Sequence, residues 1–529
     1  MVLPPDCQDS AKFKSSDIEK SINVDVDYRE SSPDSSSSDI DIFGLVKDDA
    51  EIVPKKLIAV QKALDELGWT GFHWKLFFLN GFGYAADSLL VVCYSIAQPQ
   101  VDLEFNHMKD PIPVISTSSA VGLLVGAIIW GCGADIIGRR LAFNSSLFIS
   151  AFATLIAGAM PSFWSFAGMV FVYSAGTGGN YILDATNFLE FLPRKYAHMT
   201  TILAFWWGVG FTVTGLLAWA FMPHWSCATV ETCTYANNKG WRLLHYVSGA
   251  LVLICAILRV TVVKMPQSPK WLVCQGRDGD LMEVLKMISQ KYNRPMSLTL
   301  AELQDIGDVA VDGHLRFSVY SPKRYMKHVA SLFKTKKIAY NTILLLLLWI
   351  LIGLGDPLYS VFRPYYLKTR GYEDTVASNF IVWRNYAISN MCGLLGPFLA
   401  WPMLDSPYLG RRGTMAVGAL LTMGFLFGYT QIKTPTQNTA LAFVIAAVEN
   451  IFFGALYGVT PELLPTSGRG TGYGIMVAFN RTFNVLANVI AGYANINTPA
   501  PLFVAASMFG GMALVSCLLP FEPSGKFGG

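Results

Sequence analysis

The sequence predicts an all-α membrane protein of twelve transmembrane helices in two pseudo-symmetric six-helix bundles. Three observations lead there. Hydrophobic residues make up 52% of the 529 and charged residues only 15%, whereas a soluble chain carries about a quarter charged residues. The apolar residues collect in twelve runs, each near the roughly 20 residues that cross a hydrocarbon core. Two short motifs also recur at one spacing. Gly138-Arg139-Arg140 returns as Gly410-Arg411-Arg412, and the Glu190 to Pro193 motif returns as Glu462 to Pro465, both 272 residues on. A shared offset for two unrelated motifs indicates a duplicated six-helix unit.

The elements follow in order. Residues 1–53 hold 13 Asp or Glu against 5 Lys or Arg, with a serine run at Ser35–Ser38. Such a segment buries too little apolar surface to fold, so disorder is expected. Residues 54–72 read as a short amphipathic helix leading to the membrane, which makes 1–72 an acidic tail plus helix. The first bundle is expected over 73–264, with spans near 74–97, 112–132, 141–160, 164–188, 198–222 and 243–264. A central loop over 265–338 joins it to a second bundle over 339–521. Its spans lie near 339–361, 377–402, 414–432, 438–460, 470–492 and 499–520, and 522–529 form a short tail. The runs are long and continuous, without the alternation of barrel strands, so helices are expected. No apolar run opens the chain, so no cleaved leader is expected.

Basic residues set the orientation. Residues 264–338 carry 13 Lys or Arg, and Arg139-Arg140, Arg194-Lys195 and Arg411-Arg412 fall on the same side. Cytoplasmic loops carry that excess, which places both termini in the cytosol. The loop with Cys227 and Cys233 then faces an oxidising space, where a disulfide is expected. The net charge of +3 gives no reason to expect nucleic acid, and the nine cysteines lack zinc-site spacing. No phosphate-binding Gly-x-x-x-x-Gly-Lys-Ser/Thr motif, Gly-x-Ser-x-Gly elbow or His/Glu zinc pair occurs, so neither an ATP-driven pump nor a membrane-embedded enzyme is expected. No cofactor or metal is expected.

Gly131 to Arg140, with Asp135 inside it, resembles the loop signature of the major facilitator superfamily. Pro266-Gln267-Ser268-Pro269-Lys270-Trp271-Leu272 is similar to the sugar porter signature after the sixth span, and Tyr457 to Gly472 to the one before the eleventh. The resemblance runs over about 60–525, toward fungal transporters of the sugar porter and synaptic-vesicle-protein-like branch; Leu189-Glu190-Phe191 and Trp383 to Tyr386 also fit it. Gln267 stands where the family has Glu, Arg194-Lys195 replace a more distal Arg-Gly, and the paired Gln of hexose carriers is absent from Leu344 to Asp356. The resemblance implies a monomeric secondary transporter of a small polar organic solute, working by alternating access with protons, in the plasma membrane. The solute stays open among sugar-like molecules, organic acids and secondary metabolites. A nutrient sensor that binds solute without moving it is the alternative.

The resemblance also implies a cytosolic gate. Asp135 would cap the helix beginning near Gly470, with Gly138 as the turn between. Glu190 would bridge to Arg411 or Arg412, Glu462 to Arg139 or Arg140, and Arg469 belongs to the same motif.

A charge at the bilayer centre costs about 2.5–3.5 kcal/mol or more, so each one within a span needs a reason. Asp87, Asp184, Asp356, Arg384, Glu449 and Arg481 all fall inside spans. Each reads either as a proton or substrate site or as a buried ion pair. Asp87 is the leading proton site, and Arg481 reads as a fixed cation for an anionic solute or as the partner of Glu449. Asp356 with Arg384 reads as a structural pair, and Asp184 fits either role. Asn180, Tyr359, Asn385, Asn480 and Asn484 offer hydrogen bonds to a solute, and Trp206 and Trp207 offer rings for stacking.

Overall fold

A computed structural model of the chain describes residues 49–106, 114–137, 139–227, 229–261, 266–308, 329–330, 332–369, 379–432, 434–464, 469–493 and 500–520. All regular elements among them are helical. A leading helix, α1 (Asp49–Leu67), precedes the first bundle: α2 (Gly71–Glu104), α3 (Val114–Ile137), α4 (Arg139–Gly158), α5 (Phe163–Thr177), α6 (Asn180–Phe191), α7 (Met199–Leu203), α8 (Phe205–Phe221) and α9 (Gly240–Thr261). The central loop holds α10 (Pro269–Cys274), α11 (Asp278–Tyr292) and α12 (Leu300–Asp305). The second bundle comprises α13 (Lys336–Thr369), α14 (Asn379–Gly393), α15 (Leu395–Leu404), α16 (Gly410–Tyr429), α17 (Pro435–Leu463), α18 (Arg469–Tyr493) and α19 (Ala500–Leu518).

Every expected span coincides with a helix or with two helices in series. Among the described residues, seven helical stretches are long and apolar enough to cross a bilayer by length and composition alone, and Val114–Trp130 and Asn144–Gly158 are shorter apolar helices. Three spans are broken: α5/α6 at Gly178-Gly179, α7/α8 at Ala204, and α14/α15 at Leu394. The last break has a local cause. Pro397 lies in the first turn of α15, and its missing N–H cannot bond back into α14.

The two bundles repeat one arrangement. In the first, α3 packs on α5, α2 on α8, and α4 on α9; in the second, α15 packs on α17, α13 on α18, and α16 on α19. The bundles meet along α3 with α18 and along α8 with α14, which are equivalent pairs under the repeat. Without water to drive helices together, close backbone approach supplies the attraction. On α3, Gly126 provides it: a Cβ there would lie 2.4 Å from the Ala175 carbonyl oxygen of α5.

The first long helix outruns its expected span. At 34 residues α2 is about 50 Å long at the standard rise, more than the hydrocarbon requires. Its surplus turn is held at the end away from the central loop. Arg242 donates to both oxygens of Glu104 (2.7 and 2.9 Å), and Trp241 and Asn238 donate to Glu104 as well. Gln100 exchanges two hydrogen bonds with the backbone of Cys227, which is disulfide-bonded to Cys233 with Cα atoms 5.3 Å apart. This is the disulfide end of the molecule. The opposite end, with α1 and the central-loop helices, is the basic end.

Two departures from expectation concern the basic end. The helix expected over 54–72 starts at Asp49 and stops at Leu67, so its first residues come from the stretch expected to be disordered. The central loop contributes Leu272, Val273, Leu281, Met282, Leu285 and Ile288 to the same buried cluster as Val60, Leu64 and Leu67 of α1. That apolar surface orders α1, which the acidic residues before it could not do alone.

Gly126→Val is expected to destabilise the α3–α5 contact by about 1–3 kcal/mol through overpacking. It should lower the thermal midpoint of the purified protein, whereas Gly424→Ala, with open space at its Cβ position, should not.

Candidate functional site

The first bundle encloses a polar core. Asp87 of α2 accepts a hydrogen bond from Asn180 Nδ2 of α6 at 3.1 Å, and Asn180 Oδ1 accepts one from Ser146 of α4. One turn further along α6, Asp184 pairs with Arg259 of α9 at 2.8 Å. Arg259 also donates to the Leu79 carbonyl of α2 (3.1 Å) and feels the charge of Asp87. Asp87, Asp184 and Arg259 are at most 2% exposed. Gly83 of α2 makes room for them, because a Cβ there would lie 1.8 Å from Asp184 Oδ2. Among the described residues the core therefore holds two carboxylates and one guanidinium.

A second set of charges lies where the bundles face each other. Asp356 of α13 is within electrostatic reach of Arg481 in α18 and of Glu449 in α17. All three act on the Tyr457 hydroxyl of α17, and Arg481 and Asp356 act on Tyr94, which belongs to α2 of the other bundle. Tyr457 sits in an aromatic wall: stacked with Trp349 (centroids 5.2 Å, 21°) and Phe453 (6.1 Å, 10°), and edge-on to Trp207 of α8 (6.0 Å). The expected Asp356–Arg384 pair is not made. Asp356 accepts from Ser360 (3.3 Å), while Arg384 donates to Asn385 (3.3 Å). Asn480 donates to the Trp349 carbonyl at 2.9 Å, a clasp between α18 and α13. Tyr359 is buried against the Tyr429 ring (6.0 Å), and Asn484 is half-buried. Trp206 is half-buried and ringed by Phe77, Phe78, Phe82 and Phe205, an aromatic cluster that reaches the surface of the bundle at Phe78.

At the basic end the two bundles touch. A Cβ on Gly458 of α17 would strike Thr201 of α7, and Thr200 Oγ1 lies 3.4 Å from Glu462 Oε1. His198 Nδ1 stands 3.7 Å from Asp405 Oδ1, with its ring stacked on Trp401. Glu462 bonds Arg411 at 2.8 Å, so this bridge lies inside the second bundle, where the motif comparison expected one between bundles. The reason is that α15 and α17 are neighbours, which brings the loop after one to the end of the other. Glu190 accepts from Ser268, whose hydroxyl also caps α10 through Trp271 N–H (3.2 Å). Arg469, at the start of α18, donates to the Leu464 carbonyl (3.5 Å). Gly138 and the side chains of Asp135, Arg139 and Arg140 lie outside the described residues, so the cap and pairs expected of them are not described; Arg412 is half-buried beside Arg411.

Residues 76–487 match the sequence profile of the Major Facilitator Superfamily. The chain belongs to this superfamily. Similar proteins include the MFS siderochrome iron transporter 1 of Ceriporiopsis subvermispora, 37% identical over 88% of this chain and 90% of that one. The major facilitator-type transporter hxnZ of Emericella nidulans is 32% identical over 95% of this chain and 96% of its own length. Among solved structures, the xylose transporter XylE from E. coli, in a partially occluded inward-open conformation, aligns with TM-score 0.63 over 86% of this chain and all of that one. At 16% identity that likeness concerns the fold. The protein is thus a multi-pass membrane transporter of the secondary type, not an enzyme.

Two partly or fully buried cations of the structure were not singled out by the sequence. Arg259 sits in an apolar run, the signal that singled out Asp184, but close enough to the span's end to read as a loop anchor. Lys270 of α10 carried only a motif resemblance. Burial lowers its pKa to about 8; Arg469 and Arg194 act in the same direction, against Glu190 and Asp65.

Arg259→Met is expected to strand Asp184 and cost about 3–5 kcal/mol, while Asp184→Leu with Arg259→Met recovers most of that loss. Thermal midpoints of the three proteins test this, and equal loss in single and double variants would contradict it. For Lys270, folding disfavours the charged form, so its effect is a stability deficit present below about 8 and relieved as pH rises toward 10.5. The thermal midpoint of wild type relative to Lys270→Gln should therefore climb over that interval; a flat difference would count against the assignment.

Proposed function

We propose that this transporter couples protons to the movement of a small polar organic solute by alternating access, with the basic end in the cytosol and the plasma membrane as its site. The observation that carries the reading is charge stoichiometry. Asp87 and Asp184 share Arg259, and Asp356 lies within electrostatic reach of both Arg481 and a second carboxylate, Glu449. One guanidinium neutralises one carboxylate. Among the described residues each group thus counts two carboxylates to one guanidinium, and a carboxylate enclosed in a low-dielectric interior favours taking up a proton or facing a cationic group. In the first bundle the enclosed Asp87 suits a proton, which needs no room. At the bundle interface Arg481, Asp356 and Glu449 lie beside the Tyr457 wall and can meet a solute with polar and ring-like parts. Sugar-like molecules, organic acids and secondary metabolites fit that description. The relative named for siderochrome iron transport extends the range to iron chelates.

The test is a metabolite-mixture screen in vesicles containing the purified protein, with and without an inward-acid gradient. Gradient-dependent accumulation is expected, reduced about tenfold or more in Asp87→Asn, the size of effect expected on losing a positioned proton carrier, with solute exchange at equilibrium retained. Accumulation unchanged by Asp87→Asn would remove the proton role. Saturable binding with no flux under any gradient would favour the sensor reading instead.

A further inference from the structure

The contacts between the bundles at the basic end spring from one short stretch. Chain leaves α6 at Phe191 in extended geometry (Leu192 φ −77°, ψ 135°; Pro193 φ −60°, ψ 147°) and forms a single turn at Arg194–Tyr196. Within five residues His198, Thr200 and Thr201 reach the second bundle. An extended exit from a helix leaves backbone groups without helical partners. Here side chains about 130 residues earlier in the chain supply them. Gln61 Nε2 of α1 donates to the Leu192 carbonyl at 3.2 Å, and the Arg194 N–H donates to Asp65 Oδ1 at 2.7 Å. Gln61 Nε2 also donates to Asp65 Oδ1 at 3.2 Å, which fixes the two side chains relative to one another. Two further groups just after α1 join them: His73 Nε2 lies 3.1 Å from the Phe191 carbonyl, and the Trp69 ring packs on Tyr196 at 5.3 Å.

The other face of α1 is anchored. Lys56, Val60, Ala63, Leu64 and Leu67 recur at helical spacing and are 2% exposed or less. Lys56 is ion-paired with Asp278 at the start of α11, a buried contact. Glu66 accepts from Ser297 through both backbone N–H (2.8 Å) and hydroxyl (2.7 Å), and these bonds hold its pKa below the ordinary value. The helix is therefore fixed on one side to the central loop and on the other to the backbone that carries the gate.

We propose that α1 is a strap that positions the gate, with Gln61 and Asp65 as its positioning residues: they hold the Leu192–Arg194 backbone so that Thr200, Thr201 and His198 meet the second bundle. Central-loop position is transmitted through α1 to the seam between bundles. Neither residue touches solute, and neither lies in the motif that follows α6; they act by placing it. The inference rests on the alternating-access reading for its consequence, but its test needs no solute.

Thr201 is 2% exposed and covered by Gly458 when the basic end is closed. Thr201→Cys, placed in a protein whose cysteines other than Cys227 and Cys233 are alanine, reports opening through its labelling rate with a maleimide in nanodiscs. Asp65→Ala is expected to speed labelling about fivefold, the size of effect expected on losing one typical, solvent-exposed hydrogen bond. Asp65→Asn, which keeps a carbonyl oxygen at that place, should stay within about twofold of the parent. Gln61→Leu should behave like Asp65→Ala and serves if that variant fails to fold. Unchanged labelling in both folded variants overturns the proposal. So does faster labelling that is equal in Asp65→Asn and Asp65→Ala and tracks a lowered thermal midpoint, because that marks general loosening. Labelling as expected in a protein that moves no solute supports the strap and rejects the alternating-access reading proposed above.

Discussion

Charge enclosed among helices that hydrocarbon surrounds must be balanced within the protein, and the polar interior of this transporter is organised around that demand. Asp184 has Arg259 at 2.8 Å, Arg259 has the Leu79 carbonyl as a second acceptor, and Asp87 has the Asn180 amide. Four helices of one bundle, α2, α4, α6 and α9, converge because each contributes a member. Their side chains fill the space that Gly83 leaves open, so the fold and the charge balance depend on one another. The second group, Asp356, Glu449 and Arg481, has the same ratio of acids to guanidinium but a different address. It lies at the face that the bundles share and reaches Tyr94 on the far side. One group is enclosed in a single bundle and the other sits at the seam between the two.

Much of the fold was legible because it depends on quantities a sequence states directly. The length of an apolar run fixes whether it spans, and the common offset of the Gly-Arg-Arg and Glu-x-x-Pro motifs fixes the repeat. The pairings α3–α5 with α15–α17 and α2–α8 with α13–α18 express that repeat in space. Side-chain partnership is another matter. Asp356 and Arg384 stand on consecutive spans, but a helix turns each residue to one azimuth, and azimuth toward a third helix is not written in spacing. Asp356 consequently answers to Arg481, which is 125 residues away, and Arg384 to its neighbour Asn385. Glu462 met Arg411 for the opposite reason: the motif comparison paired across bundles what helix adjacency pairs within one.

The basic end was the least legible region. Its acidic and serine-rich approach reads as unstructured, and nothing in α1 alone would order it. Order comes from α10 and α11, more than 200 residues later, through Lys56 with Asp278 and the apolar face between them. Long-range partnership of that kind leaves no local periodicity beyond ordinary amphipathicity. Lys270 belongs to the same region and gains its character from Glu190, Asp65, Arg194 and Arg469, four residues from three separate stretches.

The aromatic wall has an optical consequence. Tyr457 contacts two indoles, Trp349 from its own bundle and Trp207 from the opposite one, at 5.2 and 6.0 Å. In the alternating-access cycle proposed above, Trp349 travels with Tyr457 and Trp207 does not. Emission from Trp207 should then respond to the conformational cycle while that of Trp349 stays constant. With the other indoles replaced, the protein would carry a spectroscopic probe and its internal reference on either side of one phenol ring.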